Sequence, residues 1–211
     1  LGASDHPSDL AVGEGGKYKR ITNVNSDLLS IKKPGKVEEI WWKSSFDQRD
    51  IQGWICYPPD FDPNKKYPMI LEIHGGPFAS YSPFFASEIQ LFASAGYVVL
   101  YANPRGSDSY GKEFAQTIYN NYPSQDYDDL MSVVDAVIAQ EPINQDALYV
   151  TGGSGGGVLT AWIVGHTNRF KAAKIKKDEG EFVWVFIKQQ GLKPCPRPVQ
   201  LVYKFYCKNK R

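Results

Sequence analysis

The chain has 211 residues, 42% of them hydrophobic and 22% charged, enough for one full domain with a sizeable core. A formal net charge of +1 excludes a globally basic nucleic-acid binder or anionic-membrane binder, and no run approaches the ~18 apolar residues a spanning helix needs. Cys56, Cys195 and Cys207 are odd in number and unlike a metal site in spacing, which argues against a disulfide framework or a zinc centre.

Residues 1–34 are polar and Gly-rich, with short strand-like stretches such as 18–22, too short to bury anything alone. Two aromatic-rich runs, 37–43 and 51–57, flank the polar turn 44–50 and predict a β-hairpin. Pro58, Pro59 and the polar residues to Lys66 form a loop.

Strands then alternate with helices. Residues 69–73 read as an apolar strand ending in His74-Gly75-Gly76-Pro77, and 84–95 has helical periodicity. Residues 97–102 form a second apolar strand, ended by Asn103-Pro104-Arg105-Gly106. Apolar residues at 127, 130, 131, 134, 137 and 138 mark one face of a helix, and Asp126, Asp128 and Asp129 in its first turn suit the helix dipole better than a metal. Residues 147–151 are a third strand and 158–165 a further helix. Near-continuous apolar strands separated by helices imply a mostly parallel sheet covered on both faces: an α/β, doubly wound fold. Trp41, Trp42, Trp54, Tyr57 and Phe61 read as sheet and core packing before a ligand patch.

The sharpest feature is Gly152-Gly153-Ser154-Gly155-Gly156, a Gly-x-Ser-x-Gly run directly after a strand and before a helix. That is the context of the α/β-hydrolase nucleophile elbow, where the serine occupies a strained turn and its neighbours must lack side chains. A phosphate loop would need a lysine that is absent, and the dinucleotide fingerprint fails because residue 158 is Val. Ser154 is the candidate nucleophile. Backbone N–H donors for the developing oxyanion are expected from Gly155 and, on the loop after an earlier strand, from Gly76.

With those residues in view, 37–173 resembles the catalytic domain of the prolyl oligopeptidase family, in its acylaminoacyl-peptidase-like branch. Leu71-Glu-Ile-His-Gly-Gly-Pro-Phe78, Tyr101-Ala-Asn-Pro-Arg-Gly-Ser107 with Tyr110-Gly111, Asp126-Tyr-Asp-Asp-Leu130 and Thr151-Gly-Gly-Ser-Gly-Gly-Gly157 carry the likeness. The resemblance implies a serine peptidase of short peptides or acyl-amino acids, built as a β-propeller followed by an α/β-hydrolase domain. It makes 1–34 a remnant of the propeller or a linker, 35–173 the N-terminal part of the hydrolase core, and 174–211 an atypical tail. It also gives Arg105 a supporting place, organising the loop near the site.

At Lys174 the family pattern stops. From there to Arg211 stand ten Lys/Arg against three Asp/Glu, net +7, which leaves −6 on the first 173 residues. Lys174-Ile-Lys-Lys-Asp-Glu-Gly-Glu is too charged to be a buried strand. The tail reads as sequence of different origin or as an added edge strand, and its scattered basic residues as solvated. An open sheet edge would let copies associate.

A triad of this type runs Ser, then Asp or Glu, then His, and no histidine follows His166. His166 lies twelve residues beyond Ser154 on the same helix, about 18 Å away, and belongs at a surface or helix end. His74, on the oxyanion loop, is expected to support the site by bracing its turn, with a surrogate base as its alternative role, and His6 to be inert. The expectation is therefore a serine hydrolase acting on a small peptide or ester without cofactor or metal, impaired by the missing Asp and His. The alternatives are a carboxylesterase of short-chain esters and a non-catalytic binding or assembly module. No basic-then-apolar leader is visible, and cytoplasm and periplasm stay open.

Overall fold

A computed structural model describes residues 1–176 and, as backbone, the strand Phe182–Phe186. Strands β1 (Ala11–Glu14) and β2 (Lys17–Arg20) pair antiparallel in a sheet of their own. Helix α1 (Ser26–Ile31) follows, and Val12, Tyr18, Leu28 and Ile31 of this region are all exposed.

The rest builds on a seven-stranded sheet. Its strands are β3 (Val37–Lys43), β4 (Asp50–Cys56), β5 (Tyr67–Ile73), β6 (Val98–Asn103), β7 (Ile143–Gly153), β8 (Ala172–Lys176) and β9 (Phe182–Phe186), in the order β3-β4-β6-β5-β7-β8-β9. The central pairs β6–β5, β5–β7 and β7–β8 are parallel; β3–β4, β4–β6 and β8–β9 are antiparallel. The hairpin expected at 37–57 is β3–β4, with Val37 opposite Cys56.

Every residue of β6 is buried because both faces of the sheet are covered. Val98, Leu100 and Ala102 join Leu71, Val150, Leu130, Val134, Leu159 and Ile163 in the larger core, which gathers residues of helices α4 (Asp126–Gln140) and α5 (Gly155–His166). Val99 and Tyr101 face the other way, onto Trp54, Cys56 and the Ile89 and Ala93 of α2 (Ser87–Ser94). Of the aromatic group near the hairpin, Trp42, Trp54 and Tyr57 are buried and Phe61 packs on the core, whereas Trp41 is 54% exposed and its indole N–H donates to Glu39.

Among the differences from the sequence expectation, three concern the sheet and the helix α2. Helix α2 starts at Ser87, not at 84, because Ala86 is still extended at φ −120°. Strand β7 begins at Ile143, and its pairing with β5 jumps from Tyr67–Ile143 to Met69–Leu148, so residues 144–147 are accommodated in an irregularity. The third difference is β8. The charged stretch at 174–176 does enter the sheet, parallel to β7, because its charges alternate with apolar residues: Ala173 and Ile175 are buried while Lys176 is exposed. Antiparallel to it runs β9, the added strand considered for the tail.

After β5 the chain crosses to β6 on one side, and it returns to β7 on the other. The C-terminal ends of β5 and β7 therefore flank a reversal of strand order, where a crevice opens in sheets of this kind. The loop at 74–79 and the turn at 152–155 both lie there.

Candidate active site

Ser154 sits between β7 and α5 with φ 52° and ψ −117°, a conformation that a side-chain-bearing residue adopts only under strain. It caps α5: its carbonyl accepts the Val158 amide at 3.1 Å, and its own amide donates to the Lys176 carbonyl at 3.1 Å. The side chain is exposed. The helix begins immediately after it, three residues earlier than periodicity suggested, so the unpaired N–H groups and positive dipole end of α5 lie beside the hydroxyl.

The turn closes only because its flanks lack side chains. A Cβ on Gly152 would overlap the Gly156 carbonyl, and one on Gly156 would overlap the Ile73 carbonyl and stand 2.5 Å from that of His74. The loop after β5 lies directly against the elbow. A Cβ on Gly75 would be 3.5 Å from Ser154 Cβ, and one on Gly155 would be 2.5 Å from the Gly76 carbonyl oxygen and 3.1 Å from its nitrogen. Ser154, Gly155 and Gly76 are thus brought together.

The remaining sequence candidates surround this point without entering it. His74 Nδ1 donates to the Gly75 carbonyl at 2.6 Å, while Nε2 lies 2.9 Å from Ser107 Oγ, so both ring nitrogens are engaged in holding the loop. Burial lowers its pKa and keeps the ring neutral. Arg105 is 4% exposed and forks onto Asp129 (2.8 and 2.9 Å), Asp47 and Ser44, tying the loop after β6 to α4 and to the β3–β4 turn. Burial works against its charge, and the Asp129 and Asp47 carboxylates hold its pKa up.

His166 ends α5, donates Nδ1–H to the Trp162 carbonyl at 2.8 Å and stacks on the Trp162 ring. His6 pairs with Asp5 at 2.7 Å. Ser154 is the hydrogen-bond partner of none of these three imidazoles.

Two site features escaped sequence reasoning. Tyr122, between α3 (Lys112–Gln116) and α4, donates its hydroxyl to the Gly155 carbonyl at 2.5 Å, in the first turn of α5. Asp129, read from sequence as a dipole partner, is fully buried as the counter-ion of Arg105. Tyr122 stands in a stretch without periodicity and left no signal; Asp129 could have been found from the pairing of a lone Arg with an acid-rich helix start. Among the described residues no group of three or more His, Cys, Asp or Glu is placed to hold a metal ion.

With this geometry in place, comparison with known proteins gives consistent matches. The model of the prolyl oligopeptidase family matches residues 83–178. A relative described as an uncharacterized peptidase, YuxL of Bacillus subtilis, is 40% identical over 181 residues, covering 85% of this chain and 27% of the relative. A probable dipeptidyl-peptidase 5 of Aspergillus clavatus is 37% identical over 175 residues, covering 80% of this chain and 24% of that one. Among solved structures, an acylaminoacyl peptidase of Pyrococcus horikoshii superposes with a TM-score of 0.75 at 29% identity, over 82% of this chain and 27% of its own. The fold is of the α/β-hydrolase type. The chain spans about a quarter of the length of these relatives.

Proposed function

We propose that this chain, which belongs to the prolyl oligopeptidase family, carries the nucleophile-bearing part of a serine peptidase that cleaves short peptides or acyl-amino acids through an acyl-enzyme on Ser154. The observation that carries this reading is the strained Ser154 at the head of α5, with Gly75 packed against it and the backbone of Gly76 against Gly155.

In the first step Ser154 Oγ attacks the scissile carbonyl carbon. The carbonyl oxygen becomes an oxyanion, stabilised by the N–H groups of Gly155 and Gly76 and by the positive end of α5. Collapse expels the amine and leaves an ester on Ser154, which water then hydrolyses. The hydroxyl proton needs an acceptor for this to run fast, and His74 and His166 are engaged elsewhere. Turnover by this chain is therefore slow, supported by oxyanion stabilisation and binding at about 10³–10⁴-fold over water.

The esterase reading uses the same elbow on a less demanding bond. Turnover of an aminoacyl anilide and of a short-chain nitrophenyl ester, each beside Ser154→Ala, tests both. Activity on either that disappears with Ser154→Ala supports the nucleophile, and preference between them separates peptidase from esterase. Identical rates in both proteins would leave a binding module as the account.

A further inference from the structure

Beneath the loop that carries Gly76 lies a cavity of about 10 Å³, lined by His74, Pro104, Arg105, Ser107, Tyr122 and Asp126 among others. Asp126 opens α4 and is 1% exposed. Its Oδ1 accepts the Ser124 amide at 2.5 Å and the Tyr127 amide at 3.1 Å, whereas Oδ2 is buried without a hydrogen-bond partner. A buried carboxylate oxygen in that condition is costly, and a polar cavity of this size has room for one water molecule.

Tyr122 lines the same cavity and is already bonded through its hydroxyl hydrogen to the Gly155 carbonyl. Its oxygen retains acceptor capacity.

We propose that Asp126 is a positioning residue for the nucleophile elbow, its Oδ2 joined to the Tyr122 hydroxyl by one water molecule held in this cavity. The inference rests on reading Ser154 as the nucleophile. The water donates one hydrogen to Oδ2 and the other to the Tyr122 oxygen, which strengthens the Tyr122 donation to Gly155. An ionised Asp126 makes the water a double donor. A protonated Asp126 donates into the cavity instead, and the tie to the first turn of α5 weakens.

The charged and titratable groups facing Asp126 are His74 from the loop after β5, Arg105 from the loop after β6, Tyr122 from the segment ahead of α4 and Asp129 along α4. Burial, opposed by the Ser124 and Tyr127 amides and helped by Asp129, raises the Asp126 pKa to about 6. The coupling therefore switches within a range the folded protein can be studied in.

The test is a pH titration of the ¹⁵N-labelled chain, following the Gly155 and Gly156 amides between about pH 4 and 8. The expected result is a shift of both amides with a midpoint near that of Asp126, lost in Asp126→Asn and lost in Tyr122→Phe. Amides that stay flat in the wild type overturn the inference, as do amides that titrate unchanged in either variant. Should Asp126→Asn fail to fold, Tyr122→Phe decides alone. Fluorophosphonate labelling of the same samples separates the two readings. Labelled Ser154 with flat amides removes only the Asp126 role, and coupled amides with unreactive Ser154 remove only the catalytic one.

Discussion

Gly155 packs so closely on Gly76 that a Cβ built on it would stand 2.5 Å from the Gly76 carbonyl oxygen. Backbone meets backbone here, and neither side can yield by rotating a side chain. Gly155→Ala is therefore expected to push the loop off the elbow, destabilising the chain by about 1–3 kcal/mol. It should also slow acylation of Ser154 by about 10²–10³-fold, the effect of losing one oxyanion donor. Urea unfolding and labelling rates on the same variant check both.

Ser154→Gly should do the opposite to stability. The φ of 52° at Ser154 is strained for serine and free for glycine, so the variant is expected to gain about 1 kcal/mol while losing all covalent labelling. A loss of stability would mean that the turn is not strained.

Arg105 and Asp129 form a buried pair at 2.8 Å. Asp129→Ala leaves a guanidinium that is 4% exposed with Asp47 as its one remaining carboxylate partner, and is expected to cost about 3–5 kcal/mol. The measurement is the urea midpoint at constant slope. An effect below about 1 kcal/mol would place this pair with ordinary surface bridges.

Glu72 lies on β5, between Tyr101 of β6 and Thr151 of β7, with its Oε2 lacking a partner among the described residues. Burial, then the neighbouring Glu88, raise its pKa from 4.5 to about 8, with Lys176 pulling the other way. The folded state holds this proton more tightly than the unfolded chain. Its contribution is thus full below about pH 4.5 and fades as pH rises through about 8. Glu72→Gln should flatten that decline, gaining stability over the wild type at about pH 9 and little at about pH 5. Parallel stability curves would contradict the shift.

What the sequence disclosed followed from local rules. The run 98–102 is apolar at every position, which only a strand covered on both faces needs, and β6 lies inside the sheet between β4 and β5. Gly152, Ser154 and Gly156 sit between a strand and a helix, so the elbow was legible with its context. The Lys174–Lys176 segment lies in the sheet despite its charge, because Ala173 and Ile175 alternate with its lysines, and alternation, not charge content, decides whether a segment can lie in a sheet. Tyr122 reaches Gly155 across 33 residues of chain, and Asp129 meets Arg105 across 24. Contacts of that range depend on the path of loops, which no periodicity encodes.

The central claim is that Ser154 is a nucleophile aimed by its backbone and without a histidine partner. Treating the folded chain with a fluorophosphonate probe and locating the adduct by mass spectrometry tests it most directly. The account predicts a single adduct on Ser154, forming slowly and absent from Ser154→Ala. An adduct on another residue, or none on a protein shown to be folded, would contradict it.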